Sequence, residues 1–195
     1  MYGSPMNKKN IVFELYNSIQ TVFTFNQIAM LAGERNFQLL NNKINYAVRT
    51  GKLLNPRKGI YTKPKYNKEE MACAVYVPAY ISLEYVLQKA GILFQYDSSL
   101  TAVSYLSRTI DIENQSYRFR KIKNSILNCT DGILRQNNNV NIASTERAFL
   151  DLLYLEKNYY FDNLNPLNKR FIRQLLPLYQ SKALNIRANK LINND

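Results

Sequence analysis

Residues 24–62 constrain this chain more than any other stretch, because two glycines cut it into pieces of defined length. The first piece is Thr24-Phe25-Asn26-Gln27-Ile28-Ala29-Met30-Leu31-Ala32-Gly33. Thr24 or Asn26 can cap a short helix there, and Gly33 can end it in the left-handed conformation. A turn through Glu34-Arg35-Asn36 leads to a second helix, expected over about residues 37–50 and terminated by Gly51. Within it Leu40, Ile44, Ala47 and Val48 recur at i, i+4, i+7 and i+8, the spacing of one inward face. Residues 52–56 and 60–62 then read as two short strands around the turn Arg57-Lys58-Gly59. Pro56 has no N–H to give to a ladder, so its strand is expected at an edge.

Upstream, Ile11, Val12, Leu15 and Ile19 share helical spacing, which predicts a helix over residues 8–19. Thr21-Val22-Phe23-Thr24 is β-branched and aromatic, but too short for more than an edge strand or a turn. Pro64 closes the unit. Helix, helix, turn, helix, hairpin is the order of a winged helix-turn-helix, expected over residues 1–65.

The remaining residues, 66–195, read as a second, α+β domain. Residues 66–70 are polar, a linker or a helix start, and a helix over about 68–76 is broken by Pro78. Ser82 is expected to cap a helix over 83–90 that ends at Gly91. Residues 101–107 have β character, 116–122 alternate apolar and polar side chains, and 140–142 suggest one more strand. Ser144 should cap a strong helix over 145–156, and residues 168–193 should form two helical pieces parted near Pro177. The expected fold class is thus α+β: a winged helix-turn-helix, then a domain with a small, mostly antiparallel sheet and C-terminal helices.

Composition narrows the chemistry. The chain has no histidine, which removes Ser-His-Asp and Cys-His catalysis and the commonest general base at neutral pH. Cys73 and Cys129 form no CxxC pair, so no zinc site assembles at a recognised spacing and two reduced, partly buried thiols are expected. No apolar run approaches the roughly 18 residues of a membrane span. The opening MYGSPMNKKN lacks the apolar core of a signal peptide, and Met6 offers a second start. A cytoplasmic protein with no cofactor and no membrane partner is expected.

Net charge is +12, a balance that favours polyanions. Its distribution is uneven. Residues 1–65 hold 10 Lys/Arg against 2 Glu, and residues 66–195 hold 16 against 12 Asp/Glu, so one third of the chain carries two thirds of the excess. Opposite its apolar face, the 37–50 helix presents Gln38, Asn41, Asn42, Asn45, Tyr46 and Arg49. Amides pair with adenine and guanidinium with guanine, so this helix is the candidate for reading base edges. Lys52, Arg57 and Lys58 follow at the hairpin, where a basic loop can grip phosphate.

Four ordered segments resemble the AbiEi-type antitoxins, regulators of toxin-antitoxin and phage-defence loci. Residues 51–61 (GKLLNPRKGIY) are similar to the end of that family's winged helix. Residues 80–87 (YISLEYVL) followed by Gly91 resemble the opening of its second domain, and Thr101-Ala102-Val103-Ser104 its strand. Residues 142–153 (IASTERAFLDLL) resemble its long helix. The resemblance implies DNA as a partner, at the chain's own operator, and a nucleotidyltransferase-like toxin as a second one. Arg147 and Asp151 lie at i, i+4 and are read as a helix ion pair, with Glu146 in the first turn.

The rival reading is a metal-dependent nuclease or nucleotidyltransferase. No acid here has Lys two residues on, as many metal nucleases do. Asp111-Ile112-Glu113 mimics the paired acids of a nucleotidyltransferase, but Ser98-Ser99 before it lacks the glycine of a phosphate-holding turn. A non-enzymatic binding module is therefore expected, either an antitoxin or a plain transcriptional regulator.

Overall fold

The computed structural model describes residues 10–193. Met6, the alternative start, and Lys8, where the first helix is expected to begin, lie outside the described residues. The fold is α+β.

The first unit runs α1 (Ile11–Asn17), β1 (Val22–Thr24), α2 (Phe25–Ala32), α3 (Phe37–Arg49), β2 (Leu54–Arg57) and β3 (Ile60–Thr62). Its boundaries are set by local chemistry. Thr24 and Gln27 form a reciprocal capping box at the start of α2, and Gly33 ends that helix at φ 61°. Asn36 caps α3 by accepting from the Leu39 N–H. Helix α1 is shorter than expected. It stops before Ser18, so Ile19 falls beyond it and is exposed rather than inward. The strands form an antiparallel sheet in the order β1-β3-β2, with Pro56 on an edge strand as its missing N–H requires. Ile11, Leu15, Phe23, Ile28, Leu40, Ile44, Ala47 and Leu53 make one core. Each of the large side chains among them, Ala47 apart, contributes about 1.5–3 kcal/mol relative to exposure.

The rest of the described chain packs around a second core. It comprises α4 (Lys68–Val75), β4 (Ala79–Ile81), α5 (Glu84–Lys89), β5 (Leu100–Ser104), β6 (Arg108–Ile112), β7 (Gln115–Lys121), α6 (Asn124–Leu127), β8 (Ile133–Arg135), β9 (Asn141–Ala143), α7 (Thr145–Leu155), α8 (Lys169–Leu175), a 3-10 turn (Leu176–Tyr179) and α9 (Lys182–Asn193). Its sheet is larger and more mixed than expected. Six strands lie in the order β6-β7-β5-β4-β9-β8. The β5–β7 and β4–β9 pairs are parallel, and the remaining pairs antiparallel. Short links make the β6–β7 and β8–β9 hairpins, whereas the parallel β5–β7 pair is joined through β6 and the parallel β4–β9 pair joins strands distant in sequence. Strand β5 is buried at every position, so both faces of the sheet centre are covered.

The two units meet through buried groups. Val22 and Ile60 contribute to the second core, not the first. Beside them Glu70 is 5% exposed. Its Oε2 accepts from the Thr21 N–H, the Thr21 hydroxyl and the Val22 N–H, at 2.6, 3.0 and 2.9 Å. Its other oxygen accepts from Asn138 Nδ2 at 3.0 Å. Four donors thus satisfy a carboxylate that joins β1, α4 and the β8–β9 turn.

Ser82 departs from expectation. It does not cap α5, whose N-cap is Leu83 at φ 65° with no side-chain bond. Its hydroxyl donates instead to Asp151 Oδ2 at 2.8 Å. Thr101, on the neighbouring strand, takes over the end of α5 by accepting from the Tyr85 N–H at 3.0 Å. The tail also differs slightly: Pro177 sits inside the 3-10 turn, and the break before α9 comes at Gln180, at φ 48°.

Candidate nucleic-acid interface

Helix α3 has 13 residues, so it is about 20 Å long, and one side of it is committed to the first core. Leu40, Ile44 and Ala47 are buried, with Val48 partly so. At 3.6 residues per turn the opposite face centres on Gln38, Asn42, Asn45 and Arg49, flanked by Asn41 and Tyr46. All six side chains are exposed. Helix α3 contains no acid, and the nearest one, Glu34, pairs with Lys43 at 2.9 Å. Lys43 and the Asn36 N–H hold the Glu34 carboxyl below its ordinary range, so it stays charged and neutralises Lys43. The ion pairs among the described residues use Lys43, Lys89, Arg118, Arg120 and Arg147, and none of the six. Arg49 lies with its guanidinium 5.5 Å from the centre of the Tyr46 ring, a stacking that restrains the side chain without consuming its N–H donors.

The hairpin is less uniform than its sequence suggests. Lys58 and Gly59 form the exposed tip, with Gly59 at φ 79°. Arg57 does not belong to that tip. It closes β2, is partly buried, donates to the Tyr76 hydroxyl at 3.1 Å and lies over the Tyr76 ring. The cause is that Tyr76, at the end of α4, presents its ring and hydroxyl to the hairpin, a contact between residues 19 apart that local pattern does not reveal. Lys52 is exposed, while its carbonyl accepts from the Tyr16 hydroxyl at 2.8 Å. Lys63 is tied down, bonding the carbonyls of Ser18 and Tyr16. Arg35, read from sequence only as a turn residue, is exposed at the entrance to α3. A cleft of about 470 Å³ separates the start of α1 from α3, lined by Asn10, Val12, Asn42, Lys43, Tyr46 and Lys52 among others. The structure therefore brings Gln38, Asn41, Asn42, Asn45, Tyr46 and Arg49 onto one helix face, leaves Lys52 and Lys58 exposed, and directs Arg57 inward.

The residues that invite a catalytic reading are arranged otherwise. Asp111 is exposed on β6, and Glu113 sits in the β6–β7 turn at φ 53°, accepting from the Tyr66 hydroxyl. Among the described residues no group of three or more His, Cys, Asp or Glu is placed to hold a metal ion. Cys73 and Cys129 are free and partly buried, and burial pushes the Cys73 thiol up to about 11. No helix among the described residues is long and apolar enough to cross a membrane.

Arg147 and Asp151 pair at 3.2 Å with both side chains fully buried. Arg147 also donates to the carbonyls of Asp131 and Ile126 and to the Tyr80 hydroxyl. Asp151 accepts from Arg147, Tyr179, Tyr80 and Ser82. Burial opposes the ionisation of both partners. The carboxylate, Tyr179 and Tyr80 outweigh it at Arg147, whereas at Asp151 burial prevails and holds the carboxyl above its ordinary range, with Arg147 and the hydroxyls of Tyr179, Ser82 and Tyr80 pulling the other way. With four of the five Arg147 N–H donors used and both side chains fully buried, this network is a structural tie between α7, β4, α6 and the 3-10 turn.

No protein-family model matches the chain, and no curated protein sequence matches it. A similar solved structure is that of the RV2827C protein from Mycobacterium tuberculosis, with a TM-score of 0.50 and 12% sequence identity, covering 94% of this chain and 75% of that one. The likeness is one of fold.

Proposed function

We propose that this chain is a non-enzymatic DNA-binding regulator whose first unit acts as a winged helix-turn-helix, with α3 as the helix that enters the major groove. One observation carries the reading: α3 offers an acid-free face of exposed amides and one guanidinium, and Arg49 is in no ion pair among the described residues. Free amides and guanidinium are the groups that make bidentate contacts to adenine and guanine. The adjoining tip, Lys58, and the exposed Lys52 supply phosphate contacts, and the +8 balance of residues 1–65 supplies long-range attraction. Tethered to Tyr76, Arg57 supports the hairpin from behind.

The four segments that resemble AbiEi-type antitoxins favour a cytoplasmic autoregulator paired with a nucleotidyltransferase-like toxin. They spread over β2–β3, β4–α5, β5 and β9–α7, so they include both units. Retardation of DNA from upstream of the chain's own gene, beside a scrambled duplex, tests the DNA reading. Operator preference is expected, with a slope of log K against log salt of about −4 to −5 for roughly 4–6 phosphate contacts. Equal affinity for both duplexes would sink it. Co-expression with a toxin encoded next to the gene tests the second half: rescue of growth is expected, and unrelieved toxicity from a soluble, folded chain rejects the antitoxin role.

A further inference from the structure

Resting on the DNA reading above, we propose that Phe37 is a specificity-determining residue of that interface and selects thymine in the operator by packing on its methyl group. Phe37 is the first residue of α3 and is 61% exposed, so the first core does not claim its ring. Phe25, partly buried against that core, meets the Phe37 ring edge-on, with centroids 5.9 Å apart and planes at 64°. One ring is thus anchored in the core and steadies the other, which remains open to a partner. The backbone at that point is fixed as well, since Asn36 caps α3 by accepting from the Leu39 N–H at 3.0 Å. A side chain held in place beforehand loses little freedom when it is covered.

The surroundings of the ring point to what covers it. Phe37 and Asn41 lie one turn apart on the same side of α3, about 6 Å along its axis, and the exposed Gln38 follows Phe37 directly. Phe37 and Arg35 line one hollow of about 530 Å³, together with Asn26 and Met30. The acid in that hollow, Glu34, is held by Lys43 at 2.9 Å, whereas Arg35 joins no ion pair among the described residues.

An aromatic ring with amides beside it and a guanidinium at its edge matches the major-groove side of an A·T pair. Amides suit adenine, and guanidinium suits the neighbouring phosphate. The ring suits the thymine methyl, the apolar group that distinguishes this base in the groove. The first residues of a groove-entering helix are also the ones that reach base edges. A second copy of the chain fits the same surface less well, because the centre of a protein interface is depleted in charge. Docking there would bury Arg35 and the flanking amides against a surface that offers them no stated partner, at a cost for each unmatched donor.

Replacing every thymine of the operator by deoxyuridine tests this, because it deletes the methyl groups and leaves the hydrogen-bonding edges intact. Fluorescence anisotropy with the full chain should show the deoxyuridine duplex bound about fourfold more weakly for each methyl that is covered. Phe37→Ala should bind the thymine duplex more weakly by a similar factor, distinguish the two duplexes by less than about twofold, and keep the parent melting temperature. Phe37→Leu, which leaves an apolar group in place, should retain part of the discrimination. Equal affinity of the parent for both duplexes overturns the proposal, and leaves the DNA reading standing where the operator still binds better than a scrambled duplex. If the parent shows no operator preference, the DNA reading and the thymine role fall together. Undiminished discrimination by folded Phe37→Ala assigns the methyl to another residue and also overturns it. A shift of Phe37→Ala to a smaller species in sedimentation, with sensitivity to deoxyuridine unchanged, makes the ring a contact between copies of the chain and rejects the thymine role.

Discussion

Arg49 and Arg147 both sit on helices and both lie over tyrosine rings, yet the two units hold them in opposite ways. Arg147 is fully buried, and its guanidinium is spent on Asp151, Tyr80 and two carbonyls. Arg49 is exposed, and its guanidinium lies over the face of Tyr46. A buried fork with four of its five N–H donors engaged fixes a scaffold, because a rearrangement leaves a charge unpaired in a dry interior. An exposed one, stacked on a ring, is available to a partner. The contrast separates the Arg147–Asp151 network, whose polar groups face inward and are matched, from the α3 face, whose polar groups face outward and are not.

The most severe test of that contrast is to remove each arginine in turn. Arg147→Ala should cost about 3–5 kcal/mol, because it strands Asp151 in the core without its cation. Arg49→Ala should stay within about 0.5 kcal/mol of the parent, as surface changes do. Urea denaturation measures both. A mild Arg147→Ala would mean that the three hydroxyls around Asp151 suffice, and the idea of a keystone would fall.

Glycines give a smaller version of the same comparison. Gly33 and Gly132 both have positive φ, 61° and 72°. A Cβ at Gly33 meets nothing within 4 Å, whereas at Gly132 it meets the Arg147 Cβ at 3.0 Å and a Leu175 methyl at 3.2 Å. Gly33→Ala should therefore cost only the left-handed strain, about 1–2 kcal/mol. Gly132→Ala adds overpacking against α7 and should cost about 2–4 kcal/mol. Equal melting shifts in calorimetry would show that α7 and α8 give way easily.

The same division governs what could be read from the sequence. Around α2 and α3 the determinants are local: Thr24 with Gln27, Gly33, Asn36, and the apolar repeat of Leu40, Ile44 and Ala47 all act within one or two turns. The elements are accordingly legible, and so is the exposed amide face. In the second unit the determinants are distant. Ser82 has the look of a helix cap, but its hydroxyl is claimed by Asp151, 69 residues away. Strands β4 and β8 are only three residues long, too short for any alternation to register. Strand β6 (RTIDI) is mostly exposed and offers only Ile110 and Ile112 as an inward face, too brief an alternation to stand out. Alternation in β7 shows a strand but not its partner, and so the parallel β5–β7 pairing that makes the sheet mixed is invisible until the fold is known. Arg57 fails for the same reason, since Tyr76 lies on another element.

Within the α3 face the expected effects are on binding rather than on stability. Asn45→Ala and Arg49→Ala should each remove about 1–3 kcal/mol of operator affinity per lost bidentate contact and relax specificity at one base position. Fluorescence anisotropy on the operator and on single-base variants reads this directly. If both changes weaken operator and scrambled DNA alike, α3 is a supporting helix and the bases are read elsewhere.

The smallest effect discriminates within the hairpin itself. Lys58 is exposed at the tip, and Arg57, one residue before it, is turned onto Tyr76. From sequence the two are interchangeable phosphate grips. From their surroundings they are not, because a counterion is released only where a charge reaches phosphate. Lys58→Ala should lower the steepness of log K against log salt by about one unit, reduce affinity for all duplexes alike, and leave stability unchanged. Arg57→Ala should leave the slope near the parent value and instead cost about 0.5–2 kcal/mol in denaturation, from the lost hydrogen bond and cation–π contact with Tyr76. Tyr76→Phe offers a finer cut: it deletes the hydroxyl but keeps the ring, so Arg57 loses one bond and retains its stacking. If Arg57→Ala flattens the salt response as much as Lys58→Ala does, then Arg57 leaves Tyr76 on binding and the hairpin rearranges to grip DNA. The inward half of the comparison would then hold for the free protein alone.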